Sequence, residues 1–245
     1  MQPELKPIPL SGRATEPRGP WADRAGEPAI ADVHAAKLLR NTYLLLALTM
    51  VPTVVGALIG VQTAGIVIAA PIATSLVMLA AVTGLQFAIA ANRNSAVGVG
   101  LLLLMTGLLG WWLGPILNVL LSTQQGITLV GYAAAATGAV FLAMSVLAQT
   151  IRRDLSFMGK FLFVGMIALL VAMVANLFLQ MAALAVTIST LVIVVFSLFL
   201  LYDLQRILRG GETNYVMATT GVYLSLFNVF AALLQLLGLT QGDGE

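Results

Sequence analysis

Very few residues in the hydrophobic part of this sequence could do chemistry. Of the 245 residues, 60% are hydrophobic and 9% are charged, and there is no cysteine. The only histidine, His34, lies near the N-terminus, so an imidazole cannot serve as a base or a metal ligand within the apolar segments. Asp203 is the only acidic residue within such a segment, and acidic groups there commonly mark ion or proton pathways.

Two interpretations of Asp203 stay open. Asp203 follows the apolar run of residues 182–202, and Arg206 lies one helical turn further along. From this spacing alone, an ion pair between the two side chains at the membrane surface is the simpler interpretation. Alternatively, the carboxyl of Asp203 faces the interior of a helical bundle and acts as a proton or cation switch.

Small and polar residues recur along the last apolar run at offsets of four, three, four and three residues. These residues are Gly221, Ser225, Asn228, Ala232 and Gln235. The offsets place all of them on one face of a helix. Such a face must turn towards other helices, where it either packs or lines a cavity.

The link before this last run has the residues of a helix stop followed by a helix start. Gly210 and Gly211 predict a left-handed cap for the preceding helix. Thr213 or Asn214 can then cap the N-terminus of the next one. We therefore expect a tight hairpin that sets the last two helices side by side.

Enzyme chemistry finds no support in these residues. Tyr202-Asp203 and Gly242-Asp243 resemble the motifs of aspartyl intramembrane proteases, but a membrane thickness of roughly 30 Å would separate the two carboxyls. That chemistry requires two carboxyls that share a proton. An intramembrane serine protease requires a basic partner for its nucleophile, and a nucleotide enzyme requires a phosphate-binding glycine loop. Neither is present, so we expect no enzymatic activity and no cofactor.

Seven apolar segments can carry these residues across a bilayer, at roughly 20 apolar residues for each crossing. The predicted crossings are residues 41–62, 66–91, 96–121, 127–149, 161–180, 183–207 and 214–239. The connections at 63–65 and 181–182 are very short, so the fusion of two crossings is the main alternative. Gly56 with Gly60, and Gly110 with Gly114, form small-residue pairs that favour close helix packing.

Basic residues occur on only one side of these crossings. They are Lys37, Arg40, Arg93, Arg152, Arg153, Lys160, Arg206 and Arg209. Because cytoplasmic loops are enriched in Lys and Arg, we expect a cytoplasmic N-terminus and an outer C-terminus. The pI near 9.2 does not indicate a nucleic-acid partner, since no basic stripe or aromatic platform lies outside the membrane segments.

The chain divides into three predicted regions. Residues 1–36 are rich in Pro, Gly and mixed charge, which predicts a disordered cytoplasmic tail. Residues 37–240 form the seven-helix domain, which contacts membrane lipids, and residues 241–245 form a short outer tail. Helical structure is also expected from 31 to 40, continuing into the first crossing.

Six separated motifs resemble the Bax inhibitor-1 family, specifically its bacterial YccA-like branch. The motifs are LLRNTY at 38–43, GPILN at 114–118, DLSF at 154–157, MVANLFLQ at 173–180, GGETNY at 210–215 and YLSLFN at 223–228. The resemblance covers residues 37–239 and implies an all-α membrane protein in which the seventh helix is central and the other six surround it. It also implies one of two roles: binding and moderation of the ATP-dependent membrane protease FtsH, or a pH-sensitive calcium leak.

The leak role depends in the family on a pair of carboxylates. By resemblance Asp203 matches the acid of helix six, whereas Ser225 stands where helix seven carries its acid, and Asn228 matches the neighbouring family asparagine. Two carboxylates can share a proton, but a carboxylate and a hydroxyl cannot form such a pair. The basic residue that some leak members carry on helix two also has no counterpart between Ala70 and Ala91. The FtsH-related role is therefore the first expectation, with calcium or protons as the alternative partners.

Overall fold

The structure is a computed structural model that describes residues 27–151 and 155–242. Within these ranges the regular secondary structure is entirely helical. The helices are α1 (Glu27–Gln62), α2 (Ala64–Ala69), α3 (Pro71–Ala91), α4 (Ala96–Trp112), α5 (Gly114–Leu121), α6 (Gly126–Thr150), α7 (Ser156–Leu179), α8 (Ala182–Leu208) and α9 (Tyr215–Gly242). Residues 27–36 of the predicted disordered tail belong to α1, and residues 241–242 of the predicted outer tail belong to α9. The rest of both tails lies outside the described residues, where both remain predictions.

The prediction of an all-α, multi-pass membrane protein is confirmed. Six of the described helices are long and apolar enough to cross a membrane, and α4 with α5 gives a seventh candidate if that pair is one bent span. The two helices meet at an angle of 42°. The structure therefore supports six or seven crossings rather than seven alone.

Proline causes two of the helix breaks. Pro71 begins α3 and Pro115 lies in the first turn of α5, where the missing N–H is harmless because the first turn has no acceptor for it. The predicted second crossing is consequently split into α2 and α3, and the third into α4 and α5. Pro52, by contrast, lies inside the continuous helix α1.

The short connections do separate their helices. Gln180 ends α7 in the left-handed region, with φ of 50°, and the Asn176 side chain accepts a hydrogen bond from the Met181 N–H at 3.1 Å. At the other short connection, Thr63 lies between the end of α1 and the start of α2. Each break ends one helix and begins the next within one or two residues.

Helices α8 and α9 make the most extensive pairing among the helices from α2 to α9. Gly210 adopts φ of +71°, and the N–H groups of Gly211 and Glu212 both bond to the Arg206 carbonyl at the end of α8. Asn214 caps α9 by accepting hydrogen bonds from the N–H groups of Val216 and Met217 at 3.0 and 3.1 Å. The predicted hairpin is thus confirmed, with Asn214 rather than Thr213 as the cap.

The two predicted glycine pairs pack against each other. A Cβ atom on Gly56 would collide with the Gly107 carbonyl, and one on Gly60 would collide with the Trp111 carbonyl. A Cβ atom on Gly114 would collide with the backbone of Gly60. The backbones of α1 and α4–α5 therefore touch without intervening side chains, as expected for small residues between membrane helices.

Candidate functional site

Asp203 projects from α8 onto the surface of α9. An ideal Cβ placed on Gly221 would lie 2.9 Å from Asp203 Oδ2 and 3.1 Å from its Cγ. The carboxylate of Asp203 therefore occupies the space that a side chain at Gly221 would need. One turn further along α9, the buried Ser225 hydroxyl lies 3.5 Å from Oδ2, at the long limit of a hydrogen bond.

Arg206, the alternative partner of Asp203, points elsewhere. Its Nη2 atom forms an ion pair with Glu212 Oε2 at 3.0 Å, and its Nε donates to the Gly211 carbonyl at 3.2 Å. The other carboxylate oxygen of Glu212 accepts hydrogen bonds from the N–H groups of Thr213 and Asn214. Arg206 therefore bonds to residues of the hairpin turn, whereas Asp203 faces α9.

The small and polar face of α9 meets α8 at several levels. Gly221 and Ser225 contact Asp203, and two turns or more beyond them Gln235 Oε1 accepts a hydrogen bond of 2.8 Å from the buried Ser189 hydroxyl of α8. Asn228 lies between these contacts and donates from Nδ2 to the Leu224 carbonyl of its own helix at 2.8 Å. This face therefore packs against α8 at both ends of its length.

A second polar contact in the core escaped the sequence analysis. Tyr223 of α9 is 1% exposed, and its hydroxyl lies 2.8 Å from Thr53 Oγ1 of α1 and 3.4 Å from the Thr106 carbonyl of α4. Either hydroxyl can supply the proton between them, since Thr53 can also donate to the Thr49 carbonyl at 2.7 Å and Tyr223 to the Thr106 carbonyl. The available signal was a tyrosine in the middle of an apolar run, away from the interfaces where membrane tyrosines concentrate.

Gln205, which the sequence analysis also did not single out, holds the connection between α6 and α7. Its side chain is 3% exposed; Oε1 accepts from the Leu155 N–H, and Nε2 donates to the Ile151 carbonyl, each at 3.2 Å. Arg209 Nη2 donates to the same carbonyl at 3.0 Å. Two residues at the end of α8 thereby position the ends of its two neighbours.

The chemistry open to this arrangement is narrow. Among the described residues, no three His, Cys, Asp or Glu side chains come together in a group that could hold a metal ion. Calcium usually takes six to eight oxygen ligands with more than one carboxylate, whereas Asp203 has a hydroxyl and a glycine opposite it. The site can accept and release a proton, or make one ionic contact.

The helical fold, the exposed apolar side chains and the helices of membrane-spanning length define a multi-pass membrane protein. The family described as "Inhibitor of apoptosis-promoting Bax1" matches residues 35–242. This chain belongs to that family, the Bax inhibitor-1 family, and to its bacterial YccA-like branch.

Several bacterial relatives share most of the sequence. The protein named "Modulator of FtsH protease YccA" in Escherichia coli (strain K12) is 39% identical over 207 residues, which cover 84% of this chain and 92% of the relative. A membrane protein of Vibrio cholerae is also 39% identical, over 84% of this chain and 91% of its own length. The six motifs that suggested the family are thus part of a similarity that extends along the whole membrane domain.

Proposed function

We propose that this protein is an inner-membrane regulator that binds an FtsH-type ATP-dependent protease and inhibits its degradation of membrane substrates. The observation that carries the proposal is the similarity to the Escherichia coli protein named as a modulator of FtsH, which extends over nearly all of that relative. A binding role also suits a site with one acidic side chain and an extensively paired α8–α9 hairpin. We propose no enzymatic step for it.

The same proposal includes a topology of seven crossings. Counting α4 and α5 as one bent span gives an odd number, which puts the N-terminus in the cytoplasm and the C-terminus outside. The exposed basic residues support this direction. With seven crossings, all of them lie at connections on the same side of the membrane as the N-terminus, and Lys and Arg are enriched on the cytoplasmic side. We also propose that α9 is central, because it contacts α3, α4, α5, α6 and α8 and hydrogen bonds with α1 through Tyr223.

Co-purification tests the binding role. The full-length tagged protein should retain FtsH from detergent-solubilised membranes, and its overproduction should lengthen the half-life of an FtsH membrane substrate. A variant without residues 1–36 separates the two surfaces that could bind: if the tail is the contact, this variant loses FtsH, and if the helical domain is the contact, it keeps FtsH. Absence of FtsH from both preparations would contradict the proposal.

A second candidate function, a pH-sensitive calcium or cation leak, is favoured by one observation. Asp203 faces α9 rather than the ion pair at the hairpin, which puts a carboxyl between two membrane helices. The missing second acid at Ser225 argues against a shared-proton gate. Calcium flux into liposomes at two pH values would decide: a leak gated by Asp203 requires that Asp203→Asn change the flux, and Ser225→Asp tests whether a second acid creates pH dependence.

A further inference from the structure

Gln86 of α3 carries an amide that is exposed on a membrane-spanning helix and has no hydrogen-bond partner. Its side chain makes no hydrogen bond with any residue that the structure describes. Three other amides of the bundle, those of Asn118, Asn228 and Gln235, each form a hydrogen bond within the protein. Gln86 therefore differs from them in leaving both its N–H donors and its carbonyl acceptor unused.

The depth of Gln86 places this amide inside the apolar layer of the membrane. Helix α3 has 21 residues, so it is about 30 Å long, which matches the hydrocarbon core of a bilayer. Gln86 precedes the last residue, Ala91, by five positions and thus lies about 7.5 Å inside that end. Side chains of a helix lean towards its N-terminus, which directs Gln86 deeper into the membrane. An unpaired amide there is costly, and a polar group on another membrane helix can satisfy it.

The surroundings of Gln86 on α3 form an uncharged face that the described helices leave uncovered. The face, which we call the Gln86 face, consists of Leu79, Thr83, Gln86 and Ala90, at offsets of four, three and four residues. Thr83, Gln86 and Ala90 are exposed, and Leu79 is half-buried. The buried residues Met78 and Ile89 mark the side of α3 that faces the core. Another helix can therefore reach the amide without displacing any described part of the protein.

A second copy of this chain supplies the matching group at the matching depth. Copies inserted into one membrane have the same orientation, so a two-fold axis along the membrane normal brings two Gln86 residues together at equal depth. A glutamine amide both donates and accepts, which allows each copy to donate to the carbonyl of the other. Arg93, the nearest charged residue along the chain, lies in the exposed α3–α4 connection, where water and salt screen the repulsion between two copies.

We propose that the Gln86 face is an interface between two copies of this chain, joined by reciprocal hydrogen bonds between their Gln86 amides. Hydrogen bonds of this kind hold membrane helices together where the hydrophobic effect does not. The two Thr83 hydroxyls and the small Ala90 side chains lie beside the pair and permit a close approach of the two α3 helices. The interface is independent of the α8–α9 pair, which lies within one copy.

Cysteine cross-linking in membranes tests the position of the interface, because the chain has no cysteine of its own. Ala90→Cys places a thiol on the Gln86 face, one turn from Gln86, and oxidation of inner-membrane vesicles should link it into a dimer of this chain. Gly84→Cys is the control, because a Cβ there meets no atom within 4 Å and the position is exposed. Gly84 lies two residues from Gln86, which is about 200° around the helix, so its dimer yield should be much lower. Equal yields from both, or linkage of Ala90→Cys only to a different protein, would overturn the proposal.

The strength of association in lipid tests the amide itself. The full-length Ser95→Cys protein, labelled with a donor or an acceptor dye in the exposed α3–α4 connection, is mixed in liposomes, and energy transfer is followed as lipid dilutes it. Gln86→Leu should weaken the dimer roughly tenfold, since each hydrogen bond between membrane helices contributes roughly threefold. Gln86→Asn keeps an amide and should dimerise more strongly than Gln86→Leu.

A second amide provides the matched control for Gln86. Gln149→Leu removes an exposed amide near the end of α6 and should leave the dimer affinity within about twofold. The unfolding temperature of Gln86→Leu in detergent should not fall, because Gln86 makes no hydrogen bond with a described residue of its own chain. A monomer at every lipid dilution, equal affinities of Gln86→Leu and the unchanged chain, or equal weakening by Gln149→Leu would each contradict the reciprocal Gln86 bonds.

Discussion

At the scale of single residues, the position of Asp203 depends on Gly221, which has no side chain to occupy the same space. Its carboxylate lies against the Cα of Gly221, where any larger residue would displace it. Arg206, one turn away, pairs with Glu212 and leaves Asp203 directed at α9. Gly221 of α9 thus allows the Asp203 carboxylate of α8 to pack directly against the α9 backbone.

Gly221→Ala should destabilise the protein by about 1–3 kcal/mol, because the new methyl group would overpack against Asp203 Oδ2. The measurement is thermal or denaturant-induced unfolding in detergent. Gly165→Ala is the control, since a Cβ there meets no atom within 4 Å, and its stability should be unchanged or slightly raised. In the Asp203→Ala background the cost of Gly221→Ala should largely disappear, and an undiminished cost would contradict the contact.

Tyr223→Phe should lower stability by about 1–3 kcal/mol, because it removes a buried hydroxyl and leaves the Thr106 carbonyl without that contact. Unfolding of the purified variant measures this. Tyr132→Phe serves as control, since Tyr132 is 62% exposed and should tolerate the change. If the Tyr223–Thr53 bond joins α9 to α1, Thr53→Val should cost much less in the Tyr223→Phe background than alone; additive costs would argue against it.

At the scale of helices, two pairs form by different means. Helices α1 and α4–α5 approach backbone to backbone through glycines, whereas α8 and α9 combine a short hairpin with polar contacts along their length. Close backbone contact increases the dispersion attraction between two helices. This matters in a membrane, because the hydrophobic effect does not drive helices together within lipid. The tyrosine on α9 then links one pair to the other.

Gly110→Ala should be among the most damaging conservative changes in the chain, because its Cβ would collide with the carbonyl of Thr53, a backbone atom that cannot rotate away. We expect a loss of about 2 kcal/mol or more. Gly100→Ala, ten residues earlier on the same helix, meets no atom within 4 Å and is the matched control. Unfolding of both variants in the same detergent makes the comparison, and similar stabilities would argue against close packing of α1 with α4.

At the scale of the whole molecule, the bent pair α4–α5 decides the number of crossings. A single bent span would put Ser95 and Gln124 on opposite sides of the membrane, whereas a re-entrant pair would put them on the same side. Both residues are exposed, and the chain has no cysteine, so each can be replaced singly by cysteine for labelling.

In intact cells with a permeable outer membrane, we expect an impermeant maleimide to label Gln124→Cys but not Ser95→Cys. Gln149→Cys, at the far end of α6 from Gln124, should also remain unlabelled until the inner membrane is opened. The same result for Ser95→Cys and Gln124→Cys, whether both are labelled or both are protected, would indicate a re-entrant pair. Labelling of Ser95→Cys and Gln149→Cys without Gln124→Cys would reverse the proposed orientation.

Much of this architecture could be predicted from local sequence. Apolar runs of span length specified the crossings, and Gly210 specified the end of α8, because each of these effects depends on a residue and its immediate neighbours. The predicted crossings at 66–91 and 96–121 ran through Pro71 and Pro115, where the structure begins new helices. The regular offsets from Gly221 to Gln235 also identified a face that turns towards other helices. Residues 1–26, 152–154 and 243–245 lie outside this comparison, because the structure does not describe them.

The partners of individual side chains were decided only by the tertiary structure. Spacing made an ion pair between Asp203 and Arg206 the simpler interpretation, but in the structure Arg206 pairs with Glu212 of the hairpin turn. Thr53 and Tyr223 are 170 positions apart, and the local sequence around each does not predict which residue it will hydrogen bond with. A helix period tells which residues share a face, but the neighbour of that face depends on how distant helices pack, which is a property of the assembled bundle.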